Sequence, residues 1–352
     1  MRRSPRFVLA AALSFELVLA LGASGCAGAP EERPKIGYVL SNNTFHFARE
    51  MGAGFHAGAQ IAGGVDTDVT GPPTNDVYKQ IEMFKELTAS AKGGIAVSAS
   101  DQAMFAGPLA EASAAGIPLL VSAARPLPSS QVKLLVENDN YELGKMLAAE
   151  AIKRLPPDTA GKVVLGADIP AHPALAQRAT GMRDEFVKRL PNVRVLGPFD
   201  TQREEASNLA AWQLLVAANP DAVAFLGTGD TDAANIAKVR ISTKGTWLAG
   251  VCSIASQVLQ NVKDGHMFAA VSPEHLLKGA MTGWLLAEHA KGTRPLPEGW
   301  LATPGLVITS SNVDEIMRRQ SSDTDKQAWL RSQTQQITGS AQLVRPLDQA
   351  RY

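Results

Sequence analysis

The sequence predicts an α/β protein built from two successive halves, each a parallel sheet with helices on both faces. Three observations predict it. From Lys35 onward, short apolar runs alternate with amphipathic stretches in a βαβα rhythm. The apolar runs are nearly continuous rather than alternating, as in strands buried on both faces. The chain, at 352 residues, is also longer than one ordinary core organises, which favours two domains.

The first half opens with a strand at Lys35–Leu40 (KIGYVL). Small and apolar residues at helical spacing predict a helix over Phe47–Ala62, followed by a short strand at Asp66–Val69. Val77–Ser90 is a helix with Val77, Ile81, Phe84, Leu87 and Thr88 on one face, and Gly94–Ser98 (GIAVS) is a strand. A helix over Met104–Ala115 stops at Gly116, a residue suited to a C-cap. Ile117–Val121 (IPLLV) is the next strand.

The rhythm then repeats. Tyr141–Leu155 is a helix capped by Asp139 or Asn140, and Lys162–Leu165 a strand. Helices follow at Leu175–Leu190, Glu204–Ala218, Thr231–Val239, Ala255–Asp264 and Leu276–Lys291. Strands are read at Val193–Gly197, Ala222–Phe225, Trp247–Val251 and Met267–Val271. Residues 311–352 are polar and read as a surface helix followed by a loose tail.

Composition excludes several functions. Apolar residues make up 45% and charged residues 19%, enough to bury a core. Thirty-four basic residues balance thirty-four acidic ones, so no basic face points to nucleic acid. The two cysteines, Cys26 and Cys252, cannot build a disulfide framework or a four-ligand zinc site. The six histidines are scattered without metal-ligand spacing, and no GxGxxG, GxxxxGK[ST] or GxSxG motif occurs where it would carry chemistry. No cofactor and no metal is expected, and no enzyme constellation stands out. Cys252 with His275 as base is the one nucleophile pairing to weigh, against an inert buried thiol.

The N-terminus reads as an address. Arg2, Arg3 and Arg6 precede an apolar stretch over Phe7–Leu21, and small residues lead to Cys26. That pattern is a secretory signal over residues 1–25, and the residues before Cys26 resemble a bacterial lipobox, which makes Cys26 the lipidation site. The other readings are a plain signal peptide and an uncleaved anchor. Residues 26–34, small, Pro-bearing and charged, read as a tether. Without residues 1–25 the formal net charge is about −2.

In open parallel sheets, ligands sit beyond the carboxyl ends of the strands. The residues there are therefore the candidate site. They are Ser41 to Phe47, Ser98 to Asp101, Ser122 to Arg125, Asp168 to His172, Gly227 to Asp230, Cys252–Ser253 and Ser272 to Glu274. Amides and rings after the first strand suit a neutral polar ligand, although Asn42 or Asn43 could equally cap the helix. Arg178 within its helix could bind ligand or pair with Asp184 or Glu185.

Taken in order, several segments carry a family likeness. These are the opening strand with SNNTF, GIAVSASD running into ASAAGIP, ENDNYELG, Arg178 followed by Gly181, and NPDAV at 219–223. Over about Lys35–Ser310 the chain resembles the type I periplasmic binding proteins, in particular the ribose and related sugar-binding group. The resemblance implies two Rossmann-like lobes joined by a three-crossing hinge, with crossings near Val136–Asp139, Ser272–Glu274 and Thr303–Val307. The first lobe would take 35–137 and 274–303, the second 138–273 and 304–320, with 321–352 as a polar tail.

The resemblance implies a site made of Asn43 as first-lobe amide, Phe45 as stacking ring and His46 where a second aromatic is usual. It adds Arg178 as the clamp on ligand oxygens and Gln202 near the next stacking position, with Arg125, Asp139, Gly229, Asp230 and Cys252 at the remaining turns. The sequence departs from the family at Ala123-Ala124, with Arg125 one step later, and at Gly229, Cys252 and Pro273. Those departures remove groups that hold sugar hydroxyls and point to a different or modified sugar, or a less hydroxylated ligand. The expected activity is capture of a small molecule by hinge closure, with delivery to the permease of an ABC importer outside the cytoplasm. The alternatives are a sensory binding protein serving a chemoreceptor or sensor kinase, and a lipid-anchored hydrolase using Cys252 or Asp230.

Overall fold

The computed structural model describes residues 33–340 and 342–351. The signal segment, Cys26 and most of the 26–34 tether lie outside the described residues. Two six-stranded sheets organise the rest. The first-lobe sheet contains β1 (Lys35–Val39), β2 (Asp66–Thr70), β3 (Gly94–Ser98), β4 (Leu119–Ser122), β5 (Leu134–Asn138) and β11 (Gly299–Thr303). Their order is β11-β5-β4-β3-β1-β2, parallel throughout.

The second-lobe sheet contains β6 (Gly161–Ala167), β7 (Val193–Asp200), β8 (Ala222–Gly227), β9 (Leu248–Val251), β10 (Ala269–Ser272) and β12 (Leu306–Ile308). Their order is β12-β10-β9-β8-β6-β7, and only the β10–β12 edge pair is antiparallel. Strands β3, β4 and β5 are buried along their whole length, and β3 and β4 accordingly read as apolar runs.

Helices α1 (His46–Ala62), α2 (Val77–Ser90), α3 (Gln102–Ala114) and α9 (His275–Ala290) cover the first sheet. Helices α4 (Asn140–Ile152), α5 (Pro173–Arg189), α6 (Glu205–Ala218), α7 (Asp230–Ser242), α8 (Ser256–Lys263) and α10 (Val313–Ser321) cover the second. Aspartate caps start three of them. The carboxylates of Asp76, Asp101 and Asp139 accept from the N–H groups of Lys79, Met104 and Glu142, satisfying donors that a helix start leaves orphaned.

Two helix pairs approach closely through glycine. A Cβ at Gly58 would lie 1.9 Å from the Ala280 carbonyl oxygen, and one at Gly144 the same distance from that of Arg178. The α1–α9 and α4–α5 contacts therefore depend on a bare backbone, and they fix Lys278 and Arg178 relative to their sheets.

The chain passes between lobes at Asp139, at Pro273–Glu274 and at Pro304–Gly305. A further passage follows. Val313 and Ile316 of α10 belong to the second-lobe core, whereas Leu330 of α11 (Asp323–Thr338) is fully buried in the first. The surface helix read after residue 311 is α10, and the loose polar tail read beyond it is instead a second helix, α11, with a return segment that pairs like a strand. Arg345 pairs its backbone with Trp300, N–H to O in both directions at 2.7 and 2.8 Å. Its few apolar anchors, Trp329, Leu330 and Ile337, pack on the first-lobe core, and the polar residues around them hide that signal in the sequence. Strands β5, β11 and β12 are also absent from the sequence reading: β5 and β11 end in polar residues, and β12 is only three residues long.

Candidate functional site

A cleft of about 460 Å³ lies between the two sheets, within the range of small-molecule sites. Its walls come from residues just past strand ends. Ser41 follows β1, Ser98 to Asp101 end β3, and Ala123 follows β4. Ile169 to Arg178 follow β6, Arg203 follows β7, and Gly229 with Asp230 follow β8. Helix α9 adds His275 and Lys278, and α1 adds Phe47 and Met51.

The floor carries a buried ion pair. Lys278 Nζ donates to Glu137 Oε1, and both side chains are almost fully buried. Glu137 also accepts from Ala123 N at 2.8 Å, Asn138 N at 2.9 Å and Asn140 Nδ2 at 3.3 Å. Burial pushes its carboxyl up, but the Lys278 charge and these donors outweigh burial and hold it below the usual carboxylate range. A group facing four donors is the carboxylate. Ala123 adopts the left-handed region (φ 72) to present its N–H.

Arg178 leaves α5 almost fully buried. Its Nε donates to Asn140 Oδ1 and its Nη1 to the Thr228 carbonyl oxygen, both at 2.9 Å. Arg203 pairs with Asp168. A Cβ at Gly229 would lie 2.2 Å from Asp168 Oδ1, so the Asp168 carboxylate occupies the room that a side chain at position 229 would need. His172 and His275 are held below their usual value mainly by burial, with neighbouring cations adding to it. Both are therefore neutral imidazoles at pH 7.

Unpaired polar atoms concentrate here. Ser98 Oγ, His172 Nδ1, Arg203 Nε, Asp230 Oδ2 and His275 Nδ1 are buried without a hydrogen-bond partner, and all five residues line the cleft. A buried donor or acceptor left unpaired costs about 1–3 kcal/mol. A guest with hydroxyls, each both donor and acceptor, would satisfy such a mixed set. Among the lining residues, Arg178, Arg203 and Lys278 balance Asp101, Glu137 and Asp230, so the lining carries no net formal charge.

Of the residues expected from sequence, Arg178, Gly229 and Asp230 meet in the cleft. Phe45 stands at its mouth beneath Arg203, and His46 starts α1 outside the lining. Asn43 is exposed and donates to the Gly71 carbonyl oxygen at 2.9 Å, stapling its loop. Arg125 turns away toward the Ala350 carbonyl oxygen, because the left-handed Ala123 redirects the chain. Asp139 is spent capping α4. Gln202 is exposed, and the neighbouring Arg203 takes the place expected of it. Cys252 lies in the apolar second-lobe core, and burial pushes its thiol up to about 11, which makes it no nucleophile.

Sequence reasoning missed Glu137, Lys278 and Met51, named Phe47 only within the Ser41–Phe47 segment, and weighed His275 only as a base for Cys252. A signal was present: Glu137 ends the apolar run LLVEN, and Lys278 interrupts the apolar face of α9. Lone charges in apolar stretches are seldom accidental. Among the described residues, no helix is long and apolar enough to cross a membrane, and no cluster of His, Cys, Asp and Glu could hold a metal ion.

Residues 36–294 match the family described as periplasmic binding protein domain. No curated protein matches the chain. Among solved structures, the chain is similar to GanP, a glucose-galactose binding protein from Geobacillus stearothermophilus, at 20% identity and a TM-score of 0.70 over 80% of this chain and 99% of that one. It is similar to a sugar-binding protein of a sugar ABC transporter from Bacillus halodurans, at 19% identity and a TM-score of 0.72 over 80% and 99%. A third is an ABC transporter solute-binding protein from Actinobacillus succinogenes with bound D-allose, at 18% identity and a TM-score of 0.71 over 80% and 100%. At these identities the likeness is one of fold.

Proposed function

This chain belongs to the periplasmic binding protein family, and on that premise we propose that it captures a neutral, hydroxyl-rich small molecule, a sugar or close analogue. It holds the guest between its lobes, releases it unchanged, and delivers it to an ABC importer. The observation that carries this reading is the cleft's set of unpaired, buried donors and acceptors on a charge-balanced wall. The sugars named for the solved relatives support the same class. The work is extracytoplasmic, and Cys26 is the proposed lipid attachment that keeps the protein at the envelope. Cys252, with its thiol buried and pushed up to about 11, takes no part in the proposed site.

The test is a thermal-shift screen against pentoses, hexoses, deoxy sugars, polyols and nucleosides. A guest at 100 times its Kd stabilises the folded state by about 2.7 kcal/mol, an upward shift of several degrees. If no neutral polyhydroxylated compound raises the midpoint, or if the best one is chemically converted, the reading fails.

A further inference from the structure

We infer that Arg203 is the residue that closes the cleft mouth, and that Phe45 serves as its seat rather than as a stacking surface for the guest. The inference rests on the interlobe cleft being the binding site. Arg203 follows β7 in the second lobe, whereas Phe45 and Phe47 belong to the first. The Arg203 guanidinium carbon lies 4.4 Å from the Phe45 ring centroid and 5.9 Å from that of Phe47. One side chain thus spans the gap between lobes and covers a face of the ring. A guanidinium at this distance over an aromatic face is attracted by the ring quadrupole.

Both partners are held in place for this contact. On the second-lobe side, Arg203 Nη1 is anchored by the Asp168 carboxylate. The Arg203 carbonyl oxygen accepts from Thr231 Oγ1 at 3.2 Å. The preceding Thr201 hydroxyl donates to the buried Asp232, and Gln202 adopts the left-handed region (φ 67). On the first-lobe side, the Phe45 N–H is held by Asn42 Oδ1 at 3.0 Å. The Phe45 ring stacks on Phe47, with centroids 6.1 Å apart and planes at 17°.

With Phe45 occupied, the phenyl ring that lines the cleft is Phe47, tilted at 51° to His275. The buried, unpartnered Arg203 Nε remains to meet a guest oxygen. Arg203 therefore does two things at one place. It ties the lobes together and offers a donor to what lies beneath it.

The test needs no ligand. Spin labels are placed at Tyr78→Cys on α2 and Leu214→Cys on α6, both well exposed, in a Cys26→Ser background. Interlobe distances are read by pulsed electron resonance. The expected result is a short-distance population in the parent that Arg203→Ala and Phe45→Ala each reduce, by on the order of 3- to 30-fold in the closed-to-open ratio. Arg203→Lys, which keeps charge but loses the flat stacking group, should fall between parent and Ala. The Arg203→Ala/Phe45→Ala pair should open no further than either alone. Unchanged distances in the single variants, or shifts that add in the pair, would overturn the inference. Circular dichroism on each variant checks that the lobes remain folded. A failed sugar screen leaves this result standing, and unchanged distances leave the sugar reading standing.

Discussion

Lys278 and Glu137 form an ion pair across 141 residues of sequence, joining α9 to the end of β5 at the floor of the cleft. Each stands beside a passage between lobes, Glu137 two residues before Asp139 and Lys278 four after Glu274. Glu274 itself takes the left-handed region (φ 50) and receives Arg319 of α10 at 3.0 Å. Two charges have thus been placed where the hinge strands leave the first lobe, with every Glu137 contact accounted for by a named donor.

Breaking this pair from one side should be costly. Lys278→Met leaves the Glu137 carboxylate buried without its cation, and such uncompensated charges cost about 3–5 kcal/mol. Equilibrium urea unfolding should show that loss at pH 7. Adding Glu137→Gln to Lys278→Met should recover most of it, because a neutral pair has no charge to strand. A single variant within about 1 kcal/mol of the parent would contradict this account of the floor.

Arg178 should be indispensable for affinity. Its Nε and Nη1 are committed to Asn140 and Thr228, which leaves three of the five guanidinium N–H groups to face a guest. Arg178→Ala removes those donors from a buried cleft, a loss of about 2–3 kcal/mol, or about 30- to 150-fold in Kd. Arg178→Lys should lose nearly as much, since a single ammonium cannot keep both structural bonds and also reach the guest. Calorimetric titration with the sugar found by thermal shift decides it, and an unchanged Kd for either variant would remove Arg178 from the site.

Acid should weaken the ligand-free protein through its buried imidazoles. His275 lies well below its usual 6.5, chiefly by burial, with Lys278, Arg178 and His46 adding to the shift, and His172 is lowered in the same direction. The unfolded chain therefore binds more protons than the folded one below about pH 6.5, so stability falls as pH drops through that window. Asp232 acts oppositely. Burial and the Asp168 charge raise it to about 6, so its contribution to stability declines as pH rises toward 6. Comparison with His275→Gln cancels Asp232. The variant should lose less stability than the parent between pH 6.5 and 5, measured by urea midpoints. Parallel curves would show that His275 is not the group responsible.

Much of the fold was legible because parallel strands buried on both faces leave apolar runs of recognisable length, and because Asp139 or Asn140 marks a helix start. The strand-end rule likewise points to Ser98–Asp101, Asp168–His172 and Gly227–Asp230, segments that each contribute to the cleft lining. What it could not supply was direction. Ala123 turns left-handed and sends Arg125 outward, and a one-residue shift exchanges Gln202 for Arg203. Lys278 and His275 come from a helix whose apolar spacing looks like plain core until α1 packs against it through Gly54 and Gly58. Helix α11 is obscured for the opposite reason, since a mostly polar segment needs only Leu330 and a few neighbours to stay docked.

The return segment after α11 should stabilise the first lobe through its backbone rather than through its charges. Arg345 exchanges both backbone hydrogen bonds with Trp300, a residue only 2% exposed at the sheet edge. The Arg345 side chain is half exposed and 3.9 Å from Asp139, a pair of the kind that contributes little. Truncation after Ser340 removes the buried Ala350 and uncovers Trp300, and burial of one large apolar side chain is worth about 1.5–3 kcal/mol. Unfolding midpoints should fall accordingly, and the Trp300 amide should exchange faster while amides of β6 and β8 in the other sheet keep their protection. Arg345→Ala, which spares the backbone bonds, should change stability by less than about 0.5 kcal/mol. If that substitution proves as damaging as the truncation, the side chain and not the added backbone pairing holds the segment in place.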